Sequence, residues 1–160
     1  MRILNYLDDW LVLAQSEAEL LSHRTALLSH LECLGLSVNW TKSSLLPRQS
    51  TSFLGIELDS VAMTARLSEQ RARRIRHLAA SFQTGSQAPL RTFQQILGHM
   101  ASAAAVLQLG LLRMRPLQRW LKARVPRRAW TAGSLRVRVN HGCVSALQPW
   151  LAVEWYRTGV

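Results

Sequence analysis

Cysteine is scarce in this chain of 160 residues, and no apolar run is long enough to cross a bilayer. The two cysteines, Cys33 and Cys143, lack CxxC or Cys/His ligand spacing, which excludes a disulfide framework and a zinc module and fits a reducing compartment. A spanning helix needs roughly 18–20 apolar residues, and Asp8 and Asp9 fall where a signal peptide keeps its apolar stretch. We therefore expect a soluble intracellular protein, cytoplasmic or nuclear, without a targeting signal or a membrane partner.

Acidic residues are nearly absent from the second part of the chain. Residues 70–160 contain fifteen basic residues and one acid, Glu154, whereas residues 1–69 contain five basic residues and eight acids. The whole excess behind the net charge of +11 therefore lies in the second part, and 18 of the 20 basic residues are arginine. Because arginine binds phosphate through two parallel hydrogen bonds and stacks on flat rings, this bias favours a nucleic-acid partner. A basic solvated surface is the alternative.

The first part of the chain alternates strand and helix patterns. Two short apolar segments around an Asp8–Asp9 turn predict a hairpin over residues 2–13. A capping box followed by leucines at helical spacing predicts one amphipathic helix over about 17–34. A short strand is expected at 36–40, and a hairpin at 51–67.

The second part of the chain is mostly helical by pattern. Apolar residues at helical spacing predict helices that begin at Ser68 and Pro89 and a further helix over about 111–124. Residues 125–139 are interpreted as a basic linker, and Asn140 is expected to cap a last short helix. The tryptophans of this part could stack on unpaired bases or could belong to the core; they are Trp120, Trp130, Trp150 and Trp155.

Two adjacent carboxylates, Asp8 and Asp9, stand at the tip of the first predicted hairpin. Like charges disfavour each other's ionisation, so a compensating cation stabilises the pair. Such oxygen ligands suit hard divalent ions such as Mg²⁺, and two ions about 3.5–4 Å apart can clamp the attacking and leaving oxygens of a phosphoryl transfer. The alternative is an ordinary acidic turn.

The surroundings of this Tyr-Leu-Asp-Asp hairpin resemble the reverse transcriptases of retroelements, RNA-directed DNA polymerases in which Tyr-x-Asp-Asp is the metal-binding hairpin of the palm. Residues 34–39, leading to Lys42, are similar to the family's next palm motif. Phe-Leu-Gly-Ile at 53–56 looks like the hairpin that grips the primer, and Leu-Gly-His-Met at 97–100 like an element of the thumb and connection. The amino-acid sequences around Tyr-Leu-Asp-Asp and Phe-Leu-Gly-Ile are most similar to those of DIRS-type retroelements. The resemblance covers about residues 2–123.

The resemblance implies an α+β fold class with three regions. Residues 1–67 would form a partial polymerase palm of antiparallel hairpins with one packed helix, including the Tyr-Leu-Asp-Asp hairpin and the primer-grip-like hairpin. Residues 68–123 would form the mainly helical thumb and connection. Residues 124–160 would be a basic linker and tail leading towards an RNase H-like domain that is missing here.

The resemblance also implies roles for individual residues. Asp8 looks like the shared ligand of two Mg²⁺ (or Mn²⁺) ions, and Asp9 like the second carboxylate. Lys42 would lie near the incoming triphosphate, or it is an ordinary loop lysine. The implied primer and template contacts, including arginines that would track phosphates, are Tyr6, Leu7, Phe53, Leu54, Gly55, Arg71, Arg73, Arg74, Arg76, Arg113 and Arg119.

Two parts of the family pattern belong upstream of the first residue of this chain. The family carries a further metal-binding aspartate and the fingers upstream of the hairpin, and neither is found before Met1. We therefore expect an inactive internal fragment of a retrotransposon polyprotein with weak metal affinity. Its expected partners are an RNA or DNA primer–template duplex, the rest of the polyprotein and, in the intact parent, a deoxynucleoside triphosphate. The alternatives are a non-catalytic basic nucleic-acid-binding module and an unexpressed relic.

Overall fold

The computed structural model describes residues 1–130 and 135–160, and its helices and short antiparallel sheets confirm the predicted α+β class. No helix within these ranges is long and apolar enough to cross a membrane. Two single 3-10 turns occupy Arg127–Ala129 and Gln148–Trp150. The remaining elements, in chain order, are β1 (Arg2–Tyr6), β2 (Asp9–Leu13), α1 (Glu17–Cys33), β3 (Ser50–Phe53), β4 (Ile56–Asp59), β5 (Thr64–Leu67), α2 (Glu69–Ala80), β6 (Gln87–Pro89), α3 (Leu90–Ala103), α4 (Gly110–Lys122), β7 (Arg136–Arg138), α5 (His141–Leu147) and α6 (Val153–Arg157).

The first hairpin forms where the alternation predicts it. Strands β1 and β2 pair antiparallel from Arg2 opposite Leu13 to Tyr6 opposite Asp9. The turn therefore consists of Leu7 and Asp8, one residue earlier than the predicted Asp8–Asp9 turn. The turn lies one residue earlier because Tyr6 and Asp9 form the last pair of the ladder. This pair leaves a two-residue loop, the shortest common hairpin connection.

Helix α1 begins at the predicted capping box. The amide of Glu19 donates to Ser16 Oγ at 3.2 Å, and the Glu19 carboxylate accepts from the amide of Gln15 at 3.1 Å. None of its residues is fully buried. The strand predicted at 36–40 does not form, because the carbonyl and side chain of Asn39 accept the local amide groups in a turn instead.

The second predicted hairpin is a three-stranded antiparallel sheet in the order β3–β4–β5. Asp59 Oδ1 accepts the amides of Val61 and Ala62, both at 2.9 Å, and so holds the β4–β5 turn. The outer edge of β5 is covered by the chain's own last residue, since Ala65 and Val160 exchange both main-chain hydrogen bonds. Leu67 is buried and Ile56 and Ala65 are partly buried against the helical core, so this sheet packs with the helices that follow it.

The hydrophobic core lies entirely between Leu67 and Tyr156 among the described residues. Helices α2, α3, α4 and α5 direct their apolar faces into one cluster. In contrast, none of the first 46 residues is buried, and several of their large apolar side chains, such as Leu7 and Trp40, are exposed. The largest fully buried side chains are Trp150, Phe93, Ile75, Leu90, Ile96, Met100, Leu117, Leu121, Leu147, Val139 and Cys143.

Residues 135–160 are an integral part of this core. Strand β7 pairs with β6, and Asn140 Oδ1 both caps α5 through the amide of Cys143 and accepts the indole N–H of Trp120 at 2.7 Å. The Asn140 cap is thus confirmed, whereas the basic linker predicted at 125–139 contains β7; its residues 131–134 lie outside the described residues. The assignment of palm, thumb and tail roles to the three regions stays a prediction.

Candidate functional site

The tip of the β1–β2 hairpin presents the two candidate metal ligands to solvent. Asp8 lies in the turn and Asp9 is the first residue of β2, and both side chains are exposed. Leu7 adopts a left-handed backbone with φ 52° although it is 81% exposed, so no burial of its side chain compensates this conformation. A non-glycine residue in this region costs roughly 1–2 kcal/mol, and such strain is typical of functional turns.

The chemistry of Asp8 and Asp9 fits a hard divalent cation in part. Neither carboxylate forms a hydrogen bond or an ion pair with another described residue, so both are open to a ligand. Within residues 1–130 and 135–160, no third histidine, cysteine or acidic side chain completes a metal cluster with them. Mg²⁺ is commonly held by one or two carboxylates together with waters and substrate phosphates. The residue types of the pair therefore fit the protein's share of such a site.

Lys42 lies in the turn that follows α1. Its amide donates to the Asn39 carbonyl and to Asn39 Oδ1, both at 3.2 Å, and its side chain is exposed. No hydrogen bond or ion pair within the described parts of the chain joins Lys42 to the Asp8–Asp9 tip. Both interpretations of this lysine, the triphosphate contact and the loop residue, therefore stay open.

The turn between β3 and β4 contains the primer-grip-like residues. Phe53 pairs with Ile56, leaving Leu54 and Gly55 as a two-residue loop. Phe53 and Gly55 are half-buried, and Leu54 is 39% exposed at the tip. The carbonyl of Leu54 accepts from Arg71 Nη1 at 2.8 Å, so a predicted phosphate contact is bonded to a predicted primer contact.

Two of the predicted phosphate-binding arginines are paired within helix α2. Glu69 Oε1 accepts from Arg73 Nε at 2.9 Å and from Arg76 Nη2 at 3.2 Å. The hydrogen bond from Arg73, together with the charges of Arg73, Arg76 and Arg157, lowers the pKa of Glu69. Arg73 is exposed, so its pair is weak and easily exchanged for a phosphate. Arg76 is only 24% exposed and is the less accessible of the two.

The other predicted arginines divide into one that stacks internally and two that are open. The guanidinium of Arg113 lies 4.2 Å from the centroid of the Trp155 ring, a cation–π contact. Arg74 and Arg119 are exposed and make no side-chain hydrogen bond or ion pair with the residues that the structure describes. These two are the best placed of the set to meet a phosphate.

The tryptophans of the basic part belong to the core rather than to a stacking surface. Each indole N–H donates within the chain: Trp130 to the Val125 carbonyl, Trp150 to that of Arg113 and Trp155 to that of Gln108, and Trp120 to Asn140 as described. Trp150 and Trp155 pack edge to face with centroids 4.9 Å apart. With their polar groups satisfied internally, these rings stabilise the helical core.

Three titratable groups in or beside the core have pKa values shifted by burial. Burial raises the pKa of the Cys143 thiol to about 11, which keeps it protonated near neutral pH. Burial likewise raises the pKa of Tyr156, whose hydroxyl donates to the Trp150 carbonyl at 2.7 Å. Partial burial, aided by the charges of Arg74 and Arg71, lowers the pKa of His99.

Two contacts of the helical part of the chain were not indicated by the sequence. Ser102 accepts a hydrogen bond from Arg71 Nη2, and Asn140 links helix α4 to α5 through Trp120. Neither serine nor asparagine lies in a recognisable motif for these contacts. Only the packing of helices α2, α3, α4 and α5 brings them together.

The comparison with family models gives a match in the amino-terminal part of the chain. Residues 1–58 match the model of the reverse transcriptase (RNA-dependent DNA polymerase) family. The match covers the Asp8–Asp9 hairpin, helix α1, Lys42 and the Phe53–Leu54–Gly55 turn. The searches of curated proteins and of solved structures find no significant match. The amino-terminal part of the chain, residues 1–58, is thus similar to the reverse transcriptase family.

Proposed function

We propose that this chain carries the metal-binding hairpin and the thumb and connection of a retrotransposon reverse transcriptase of the DIRS type. The observation that carries the proposal is that the family match spans a hairpin whose tip exposes two adjacent carboxylates, Asp8 and Asp9. Both side chains are exposed at the end of a two-residue turn, which leaves them accessible from solvent to a nucleotide or a primer end. The reaction class is nucleotidyl transfer directed by an RNA template.

The chain's own residues supply binding and orientation for this chemistry. Asp8 and Asp9 would hold Mg²⁺ or Mn²⁺, which when bound lowers the cost of the charge that develops on the transferred phosphoryl group. Tyr6 is the cross-strand partner of Asp9 and is 58% exposed, so its ring is available to the primer end. Lys42 would offset charge on the departing pyrophosphate.

The basic second part of the chain would hold the duplex. Arg74 on α2 and Arg119 on α4 are exposed and form no ion pair with an acid of the described residues, so both present positive charge to solvent. Phosphate contacts of this kind supply affinity without reading the base sequence. A polymerase requires this property, since it must accept every template.

The metal site is tested by titrating Mn²⁺ into the 160-residue chain and following the free ion by electron paramagnetic resonance. We expect weak binding to the chain alone and at least about tenfold tighter binding with a primer–template duplex and a nucleotide, because substrate phosphates complete the coordination. Asp8→Asn should abolish this gain.

The matched control for the titration is Glu57→Gln, which removes an exposed carboxylate from strand β4. It should bind Mn²⁺ as the unaltered chain does. Binding that is equally strong in Asp8→Asn would contradict the metal assignment and leave the basic binding module as the better description.

Primer extension by the 160-residue chain alone should be undetectable. Only two acidic side chains meet at the hairpin tip within the described residues, whereas a two-metal clamp needs a further ligand. The measurement is extension of an oligo-dT primer on a poly-A template with Mg²⁺ or Mn²⁺. Primer extension that is lost in the Asp8→Asn variant would contradict this expectation. Extension that persists in Asp8→Asn would indicate a contaminating polymerase.

A further inference from the structure

The β3–β4 turn has an unusual backbone that needs outside support. Leu54 has φ 52° and Gly55 has φ 74°, so both residues of the loop are left-handed. Two positive φ values fit the twist of a tight hairpin, but asparagine, aspartate or glycine normally occupies the first position. A leucine in this conformation is strained, and contacts with neighbouring groups can offset the cost of that strain.

The side chain of Arg71 provides a support that joins three elements. From helix α2 its Nη1 donates to the Leu54 carbonyl at 2.8 Å, and its Nη2 donates to Ser102 Oγ on helix α3. Ser102 Oγ in turn donates to the His99 carbonyl at 3.1 Å, which fixes the hydroxyl as an acceptor for Arg71. One guanidinium thus links the turn to both helices.

Gly55 leaves the space that the stem of Arg71 occupies. A Cβ atom at residue 55 would lie 2.2 Å from Arg71 Cδ and 3.1 Å from its Nη1. Any larger residue would therefore displace the arginine, in addition to the strain of its positive φ. Next to this contact, the Gly55 carbonyl accepts the amide of Ser68 at 3.0 Å, so the main chain runs close to the start of α2.

We propose that Arg71 is a positioning residue that fixes the Phe53–Leu54–Gly55 turn against helices α2 and α3, so that the turn meets a nucleic-acid strand in one orientation. The inference rests on the proposed function for its last step. Both terminal nitrogens of the guanidinium bond to groups of the chain itself, which distinguishes Arg71 from the open Arg74 one turn along the helix. The fork geometry of arginine is essential, because a lysine ammonium cannot reach two such acceptors in the same way.

Hydrogen exchange in the free 160-residue chain tests the support itself. In Arg71→Lys and in Ser102→Ala, the amides of residues 53–56 should exchange about tenfold faster than in the unaltered chain, because local opening of the turn becomes easier. The matched control is Arg157→Ala, which removes one positive charge from an exposed side chain on α6. It should leave the exchange of the turn unchanged. Arg71→Lys with unaltered exchange would overturn the proposal.

A duplex footprint tests the consequence for binding. In the unaltered chain, a primer–template duplex should slow exchange at the turn, whereas in Arg71→Lys this protection should be lost while overall duplex affinity falls less than threefold. If Arg71 were only a phosphate contact, the duplex would still protect the turn in Arg71→Lys, because lysine keeps the charge. If the duplex leaves the unaltered turn unprotected, the proposed function fails at this turn, and the exchange rates of the free chain still decide the role of Arg71.

A double-mutant cycle between Gly55 and Arg71 supplies an independent check. Gly55→Ala should accelerate exchange at the turn in the unaltered chain, and it should do so several-fold less in an Arg71→Ala background. The reason is that the clash with the arginine stem no longer exists there, so the two effects are not additive. Additive effects of the two substitutions would contradict the close packing on which the proposal depends.

Discussion

Duplex affinity of the 160-residue chain should fall by about 10³- to 10⁴-fold between about 50 and 200 mM salt. Fifteen basic residues and one acid lie in residues 70–160, and we expect roughly six to eight of the bases to reach phosphates. Each neutralised phosphate contributes about −0.9 to the log–log slope, which gives a slope of roughly −5 to −7. Fluorescence anisotropy with a labelled duplex across this salt range measures it. Affinity that is flat with salt would reduce the basic part to a solvated surface.

The structure indicates which arginines to reverse in this experiment. Arg74→Glu with Arg119→Glu removes two open side chains and should flatten the slope by about two and weaken binding to all duplexes alike. The matched control, Arg2→Glu with Arg48→Glu, makes the same charge change at exposed positions in the first part of the chain. It should leave the slope nearly unchanged. Equal losses from both pairs would mean that net charge, rather than a surface on α2 and α4, determines binding.

Removal of the first 47 residues should leave the melting temperature of the remaining chain within about 3 °C of the intact value, a change typical of surface substitutions. The core lies between Leu67 and Tyr156, and helix α1 has no buried residue. The cut before Arg48 retains Gln49, whose carbonyl accepts both the amide and the hydroxyl of Ser60. Circular dichroism against temperature for 48–160 and for 1–160 makes the comparison.

The complementary pieces provide the control for this truncation. Residues 1–47 alone should show no cooperative transition, since a lone hairpin and a single helix are marginal in water. A chain that ends at residue 139 should also lose its cooperative transition, because it lacks Cys143, Leu147 and Trp150, which are almost completely buried. Loss of the melt in 48–160 would show that the first part contributes to the stability of the core. A cooperative melt of 1–47 would show instead that the first part folds on its own.

Local signals explain what could be predicted of the fold. The β1–β2 hairpin and α1 follow from alternation, a capping box and leucine spacing, all of which act over a few residues. Residues 36–40 have the apolar pattern of a strand but do not form one, because no neighbouring strand among the described residues completes a ladder with them. The β6–β7 pair could not be predicted, because its two three-residue strands gain their preference only from contact with each other and the core.

In the candidate site, too, local sequence motifs could be predicted, whereas contacts made by the fold could not. The Asp8–Asp9 tip is a short contiguous motif, and the structure places it at the end of a hairpin as expected. The arginines of α2 could not be told apart by sequence, since all share one residue type within six positions. Their different partners arise because successive helical positions face different neighbours: Arg71 faces the β3–β4 turn, Arg73 bonds to Glu69, and Arg74 faces solvent.

The pairing of β6 with β7 has a consequence for how this chain acquires its structure during synthesis. Gln87 and Arg138 lie about 50 residues apart, and the segment between them contains α3 and α4. Closing so long a loop carries an entropic cost that only the completed core offsets. Helices α2 to α4 therefore emerge from the ribosome before β7 and Trp150, which cover them. We expect the nascent chain to need protection from aggregation until residues 137–156 have been made.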